Sequence, residues 1–514
     1  MTITSLNFFV FLGLTTIVYY LFPKKYRWIS LLVFSLAFFS LASIEVAGYF
    51  VFGVATIYIS SRLIGEKLTT QKAKKATIVI ALAFNIAMLF LLKYINIIPN
   101  TINGFGELFN IDFHLGTINL IAPIGISYYT LSMISYLVDV YWTTIPAEKN
   151  FFKVMLFSCY YPCLISGPFI RYTQMKSEFF DNGDFEWDNI FKGFHRVVYG
   201  LLKKMVIADN LAIIVNAIFA DTDVYSGPFI VIGVVFYALQ IYCDFSGCMD
   251  IVIGASKLYG VKLPENFESP FFSKNLSEFW RRWHITLGSW GKDYIMYPLL
   301  KSEAFQKLNK KSKKKFGKKL GKKIPVFLAI LILWVIIGIW HGASYKYIFA
   351  AGILPWIYLT SSELLEESFV KLRNKLKINV ESKWFHIFQS LRTLFMMCIV
   401  WLFALAPSFT QSFALIADIF KFDPTVVDPF ISEVIMGDHT LYAVLFKWAV
   451  IVVTMLGVAI VDYLKYNNVD VAEKFNSCNH IFRFALLIAM IGVTLMFGVY
   501  GPGFVPADFI YGGF

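Results

Sequence analysis

The chain has 514 residues, of which 58% are hydrophobic and only 16% charged, a balance far too apolar for a soluble globular protein of that length. Its formal net charge is +12, but the basic residues gather in the connections between apolar runs, as membrane topology requires, so a nucleic-acid partner is not expected. The six cysteines fall mostly inside apolar runs without CxxC pairs, which argues against a disulfide framework or a metal site.

The opening MTITSLNFFVFLGLTTIVYYLF lacks a basic n-region and a small-residue cleavage site, and reads as a retained first span over 6–23. Further apolar stretches follow at 29–44, 46–62, 75–95, 118–142, 150–167, 192–218, 227–256, 325–341, 344–362, 384–407, 442–464 and 481–500. Because Gly, Pro and polar residues interrupt several of them, the expectation is roughly 10 to 13 crossings or re-entrant helices. Taking basic connections as cytoplasmic puts Lys24, Lys25 and Arg27 inside, with 62–75, and leaves the N-terminus and 96–117 outside. Between 168 and 190, Arg171 and Lys176 mix with Glu178, Asp181, Asp184, Glu186 and Asp188, and no side is assigned.

At CDFSG, Asp244 and Ser246 stand near the end of a hydrophobic run, where polar groups need partners or a wet cavity. The stretch PENFESPFFSKNLSEFWRRWHITLGSWGKDYIMYP, 264–298, then brings Glu265 and Asn266. In it Trp280, Trp283 and Trp290 alternate with Arg281, Arg282, His284, Lys292 and Asp293. On one helix Trp280, Trp283, His284 and Leu287 share a face. The plain alternative is an interfacial helix with tryptophans at head-group level and arginines snorkelling to phosphates.

Segment 301–323 sets eleven lysines against a single glutamate, so a mobile cytoplasmic anchor near anionic head groups is expected. With the next basic segment at 371–383, residues 325–362 form a helical hairpin with His341 near its turn. From Ile324 to Trp340 a helix climbs about 25 Å, most of the way across a core of about 30 Å. An imidazole kept at that depth, in WVIIGIWHGAS, is a functional-site candidate, the plain alternative being a hydrogen-bonded structural histidine. The acidic connection 408–440 and the C-terminal tail fall outside. No 20–50-residue repeat or pair of halves is visible, which argues against a secondary transporter.

FWRRWHITLGSW followed some fifty residues later by IGIWHGAS resembles the membrane-bound O-acyltransferase superfamily, in particular the bacterial branch typified by the integral-membrane subunit of alginate O-acetylation. LLKYIN, PIGISYYTLSMISYLVDVY, YYPCLISGPFIRY, GLLKKMVIADNLA and FGVYG fit the same branch. Departures are Tyr345 where the family often has Trp, GILPWIY where it has a second HG pair, and FALAP where it has FRA. The resemblance implies an all-α polytopic membrane protein built around a central polar cavity. One membrane domain covers 1–514, with 264–362 as the catalytic motif region and 385–514 as a C-terminal helical extension.

By the same resemblance His341 is the general base, and His284 polarises the carbonyl or holds the donor, with Arg282 as an anion contact. Asp244, Ser246, Asn266, Trp280, Arg282, Trp283 and Trp340 are the candidates for substrate binding or cavity lining. Tyr511, in the terminal DFIYGGF, is a candidate acyl carrier, or else an interfacial aromatic anchor. The implied donor substrate is acetyl-CoA, with no covalently bound cofactor and no metal. The implied partners are an extracytoplasmic SGNH-type acetyltransferase or other glycan-modification proteins, a cell-surface or exported polysaccharide, and the bilayer of a bacterial plasma membrane. Alternatives are D-alanyl transfer to teichoic acid within the family, and a non-enzymatic multi-pass channel or transporter outside it.

Overall fold

A computed structural model of the protein describes residues 2–108, 111, 113–118, 120–181, 184–342, 344–421, 423–437 and 439–501. The described residues form an all-α polytopic membrane protein, and each of the thirteen apolar stretches read from the sequence holds a helix. Among the described residues seven helices are long and apolar enough to cross a membrane: Ala47–Lys67, Gln71–Tyr94, Pro228–Leu258, Glu303–His341, Lys383–Leu405, Leu441–Tyr466 and His480–Phe497. A bent pair, Tyr345–Leu364 with Glu366–Lys375, meets at 59° and raises the count to at most eight. Other stretches give shorter helices for local reasons. In 118–142 the helix starts only at Ile126, after Gly125, whose φ of 69° is left-handed and where a Cβ would stand 2.0 Å from the Leu164 carbonyl oxygen. In 150–167 the helix Phe151–Cys159 gives way to a short turn, Tyr161–Leu164, that contains Pro162.

The chain packs as two units, 1–197 with 248–265 and 198–247 with 266–514. The first is rich in buried tyrosines, several of whose hydroxyls find partners. Tyr136 accepts the Glu148 backbone N–H at 2.9 Å, Tyr172 donates to the Glu148 carboxylate at 2.7 Å, and Tyr161 bonds to Tyr259. Arg196 holds Asp250 at 3.0 Å and both oxygens of Glu265 at 2.6 Å, which pins the segment ending at Glu265.

In the second unit Ile230, Val234, Leu402, Ala406 and Leu415 form one buried cluster, and Leu202, Val206 and Ile451 another. Leu445, Val453, Leu456 and Ile460 of the Leu441–Tyr466 helix are more than half exposed, as a lipid-facing stripe requires. The lysine-rich segment, expected to be mobile, is helical instead. Ser302 caps it by accepting the Phe305 N–H, and the chain turns sharply at Gly317, with φ 77° and ψ 170° inside Glu303–His341. A Cβ on Gly321 would lie 2.5 Å from the Lys313 Cα, so the chain doubles back on itself there. Lys323 pairs with Glu363 at 3.1 Å and Lys319 with Glu367, which offsets part of the lysine repulsion that argued for mobility.

Candidate active site

Two histidine motifs that are far apart in sequence meet at one cavity, and one asparagine braces the first of them. Asn266, 1% exposed, accepts three hydrogen bonds at Oδ1: from the Thr286 backbone N–H at 3.1 Å, the Thr286 hydroxyl at 2.9 Å and His284 Nδ1 at 3.2 Å. Its own carbonyl accepts the Ile285 N–H at 3.0 Å. Alongside, Phe267 and Trp283 form an isolated antiparallel bridge, and the Glu268 N–H donates to the Arg282 carbonyl at 3.0 Å.

This pairing corrects the single helix read from the periodicity. The chain forms Leu276–Arg282, capped by Asn275, then breaks at Trp283 and His284 and resumes as Ile285–Gly291. His284 takes the left-handed conformation, φ 48° and ψ 52°, which for a non-glycine residue is strained by about 1–3 kcal/mol and persists only where its surroundings impose it. The Asn266 contacts supply that imposition.

The His284 ring is 4% exposed, with Phe245 edge-on at 4.8 Å and Trp340 at 6.0 Å. Trp340 lies 4.9 Å from the ring of His341, the last residue of Glu303–His341. Burial holds the His284 imidazole well below histidine's usual range, and the neighbouring His341 lowers it further. A cavity of about 1100 Å³ is lined by Trp280, Trp283, His284, Leu287 and His341, with Trp334 and other apolar side chains. Lys274, Arg281, Lys292, Arg373 and Arg392 also border it, together with Glu363 and Glu366.

Of the residues singled out in the sequence, His284, His341, Trp280 and Trp283 thus meet at one cavity. Trp340 packs between the two imidazoles without being part of the lining. Arg282 is turned away from the cavity: it donates to Glu278 at 3.0 Å and the Glu268 carbonyl at 3.1 Å, and stacks over Tyr466 at 4.8 Å, while its neighbour Arg281 lines the cavity. Asp244 and Ser246 stand behind the site. The Lys204 ammonium lies 2.7 Å from both Asp244 and Asp209, and Lys203 donates to Ser246 at 2.9 Å. These bonds answer the question of where the polar groups in CDFSG find partners, and they fix the helix that presents Phe245 to His284. Tyr242, on the same helix, donates to Asp462 at 2.5 Å, whose backbone carbonyl accepts from Ser269 at 2.7 Å.

Lys204, Asp209 and Thr286 were not legible as site residues. The available signal was the pair of lysines and the aspartate inside the otherwise apolar GLLKKMVIADNLA. His195 bonds through Nδ1 to the Phe191 carbonyl at 2.7 Å, one helical turn back. Tyr511 lies outside the described residues.

Apolar helices long enough to span a membrane, and a cavity on which two histidine motifs converge, define a polytopic membrane protein with a histidine-lined cavity. Residues 145–373 match the family model of MBOAT, the membrane-bound O-acyltransferase family, and the chain belongs to that family. It is 31% identical over 339 residues to the probable alginate O-acetylase AlgI of Pseudomonas putida, covering 66% of this chain and 65% of that protein. It is 29% identical over 313 residues to the peptidoglycan O-acetyltransferase of Helicobacter pylori, covering 56% and 55%. It is 27% identical over 289 residues to the teichoic acid D-alanyltransferase of Bacillus subtilis, covering 54% and 68%. The chain therefore spans slightly less than two thirds of the length of its alginate O-acetylase relative.

Proposed function

We propose that this protein is an acyltransferase of a bacterial plasma membrane that takes acetyl from a cytoplasmic thioester, acetyl-CoA, and passes it across the membrane for O-acetylation of a cell-surface or exported polysaccharide. The observation that carries the reading is the convergence of His284 and His341, one from each motif, on a single cavity. In the reaction the acceptor hydroxyl oxygen attacks the thioester carbonyl carbon while the His341 imidazole takes the hydroxyl proton. The tetrahedral intermediate then collapses, the C–S bond breaks, and the imidazolium returns the proton to the leaving thiolate, giving an ester and a free thiol. A hydroxyl is a poor nucleophile near neutral pH, which is why a neutral imidazole at this place matters.

An extracytoplasmic SGNH-type acetyltransferase, or other glycan-modification proteins, would complete the delivery, and Tyr511 is a candidate carrier of the acetyl group on the way. The likeness to a teichoic acid D-alanyltransferase supports a second reading, in which the moved group is D-alanyl. Mild-base release of esters from the cell envelope separates the two. Wild-type cells are expected to yield more acetate than a deletion strain with equal D-alanine; a difference in D-alanine alone selects the second reading, and equal amounts of both products remove both.

A further inference from the structure

We propose that Asn266 is a positioning residue for acyl transfer: it locks His284 into the Nδ1–H tautomer, so that this imidazole meets the reactants as a hydrogen-bond acceptor through Nε2 and not as the donor that polarises the thioester carbonyl. The inference rests on the acyl-transfer reading above and changes the role that family resemblance gives His284.

The tautomer follows from the donors around one atom. A backbone N–H can only donate, so the Asn266 atom that receives the Thr286 N–H at 3.1 Å is the amide oxygen. The same oxygen faces His284 Nδ1 at 3.2 Å, and that nitrogen must therefore carry a hydrogen. A neutral imidazole has one ring N–H, which leaves the lone pair on Nε2.

The ring is held neutral by its surroundings. It is 4% exposed, and groups that pack on it from other elements include the Phe245 phenyl, the Trp340 indole and the Asn266 amide. The titratable neighbour that acts on it is His341, whose charge opposes its own. A flip of the ring about its Cβ–Cγ bond would set the carbon Cδ2 against the Asn266 oxygen and forfeit the bond, so the hydrogen bond itself favours the orientation with Nδ1 facing Asn266. A lone pair at that place serves an O–H or N–H of a reactant, and charge growing on the carbonyl oxygen is left to other donors bordering the cavity.

The test uses purified full-length protein in lipid nanodiscs. Nitrogen NMR of ring-labelled histidine, with His284→Gln to assign the signal, is expected to show a protonated Nδ1 and an unprotonated Nε2 at His284. Transfer from radiolabelled acetyl-CoA to envelope polysaccharide, with envelope extract of the deletion strain added to supply the partner proteins, gives the second readout. Asn266→Leu removes the acceptor and is expected to lower kcat by about 100-fold with a mixed tautomer population.

Asn266→Asp keeps an acceptor oxygen but sets a negative charge against Nδ1–H, which favours the imidazolium. The neutral ring is the working form, so activity is lost as pH falls through the raised pKa. The acid limb of kcat/KM is therefore expected to move to higher pH by about one unit or more, with the plateau rate within about tenfold of wild type. A protonated Nε2 in the wild type would overturn the proposal, and that spectrum decides even if Asn266→Leu does not fold. So would an Asn266→Asp variant that loses as much rate as Asn266→Leu with an unmoved acid limb, since a merely structural asparagine behaves that way. A wild type with the Nδ1–H tautomer that transfers neither acetyl nor D-alanyl sinks the acyl-transfer reading and the catalytic role with it, and the spectrum distinguishes that failure from the first.

Discussion

Replacing His341 with alanine is expected to lower acetyl transfer by at least about 100-fold while the protein stays folded, because a positioned general base contributes about 10²–10⁴ in rate. The variant is clean for a structural reason. His341 is half-buried at the very end of the Glu303–His341 helix, so truncation widens the cavity without leaving an element unsupported. The same change at His284 is less decisive, since that residue is buried, left-handed in backbone and bonded to Asn266. Radiolabelled transfer and thermal unfolding, measured on one preparation, check both halves of the expectation. A channel or transporter would keep its activity in this variant, so retained transport with no transfer in either protein would favour that class.

The largest effect on stability is expected at Lys204. Its ammonium sits 2.7 Å from both Asp209 and Asp244, and all three side chains are at most 3% exposed. Lys204→Met removes the cation the two carboxylates share and leaves like charges facing each other out of water, a change worth about 3–5 kcal/mol. The melting temperature in detergent is expected to fall clearly, and Asp244→Asn added to Lys204→Met to recover part of the loss. An unchanged melting temperature would mean that the triad does not hold this region together. The effect should reach the site as well, because Asp244 adjoins Phe245, whose ring packs on His284.

The helices were legible because an apolar run long enough to cross a bilayer has few other uses, and every such run in this chain holds one. Their breaks were less so. Periodicity placed Trp280, Trp283, His284 and Leu287 on one helical face, and all four do line the cavity, yet the helix stops between them. The cause is a pairing with residues 266–268, well back along the chain, which no local pattern records. The lysine-rich segment misled for a related reason: like charge argued for mobility, while Gly317 and ion pairs to Glu363 and Glu367 permit a folded-back helix.

His284 and His341 stood out because an ionisable group in an apolar setting is costly to keep. The same reasoning marked Asp244 and Ser246, but their partners Lys204 and Lys203 lie about forty residues earlier, and only the fold brings them together. Between Arg281 and Arg282 the sequence offers no choice. The Glu278 carboxylate and the Glu268 carbonyl decide it by claiming Arg282.

The most direct measurement is a structure of the protein in nanodiscs with a non-hydrolysable thioether analogue of acetyl-CoA. The carbon that stands for the acyl carbonyl is predicted to lie inside the cavity, within about 4 Å of the His341 ring and on the side where a hydroxyl can approach. An analogue bound away from the cavity, or a His341 ring packed against lipid with no passage leading to it, would contradict the account.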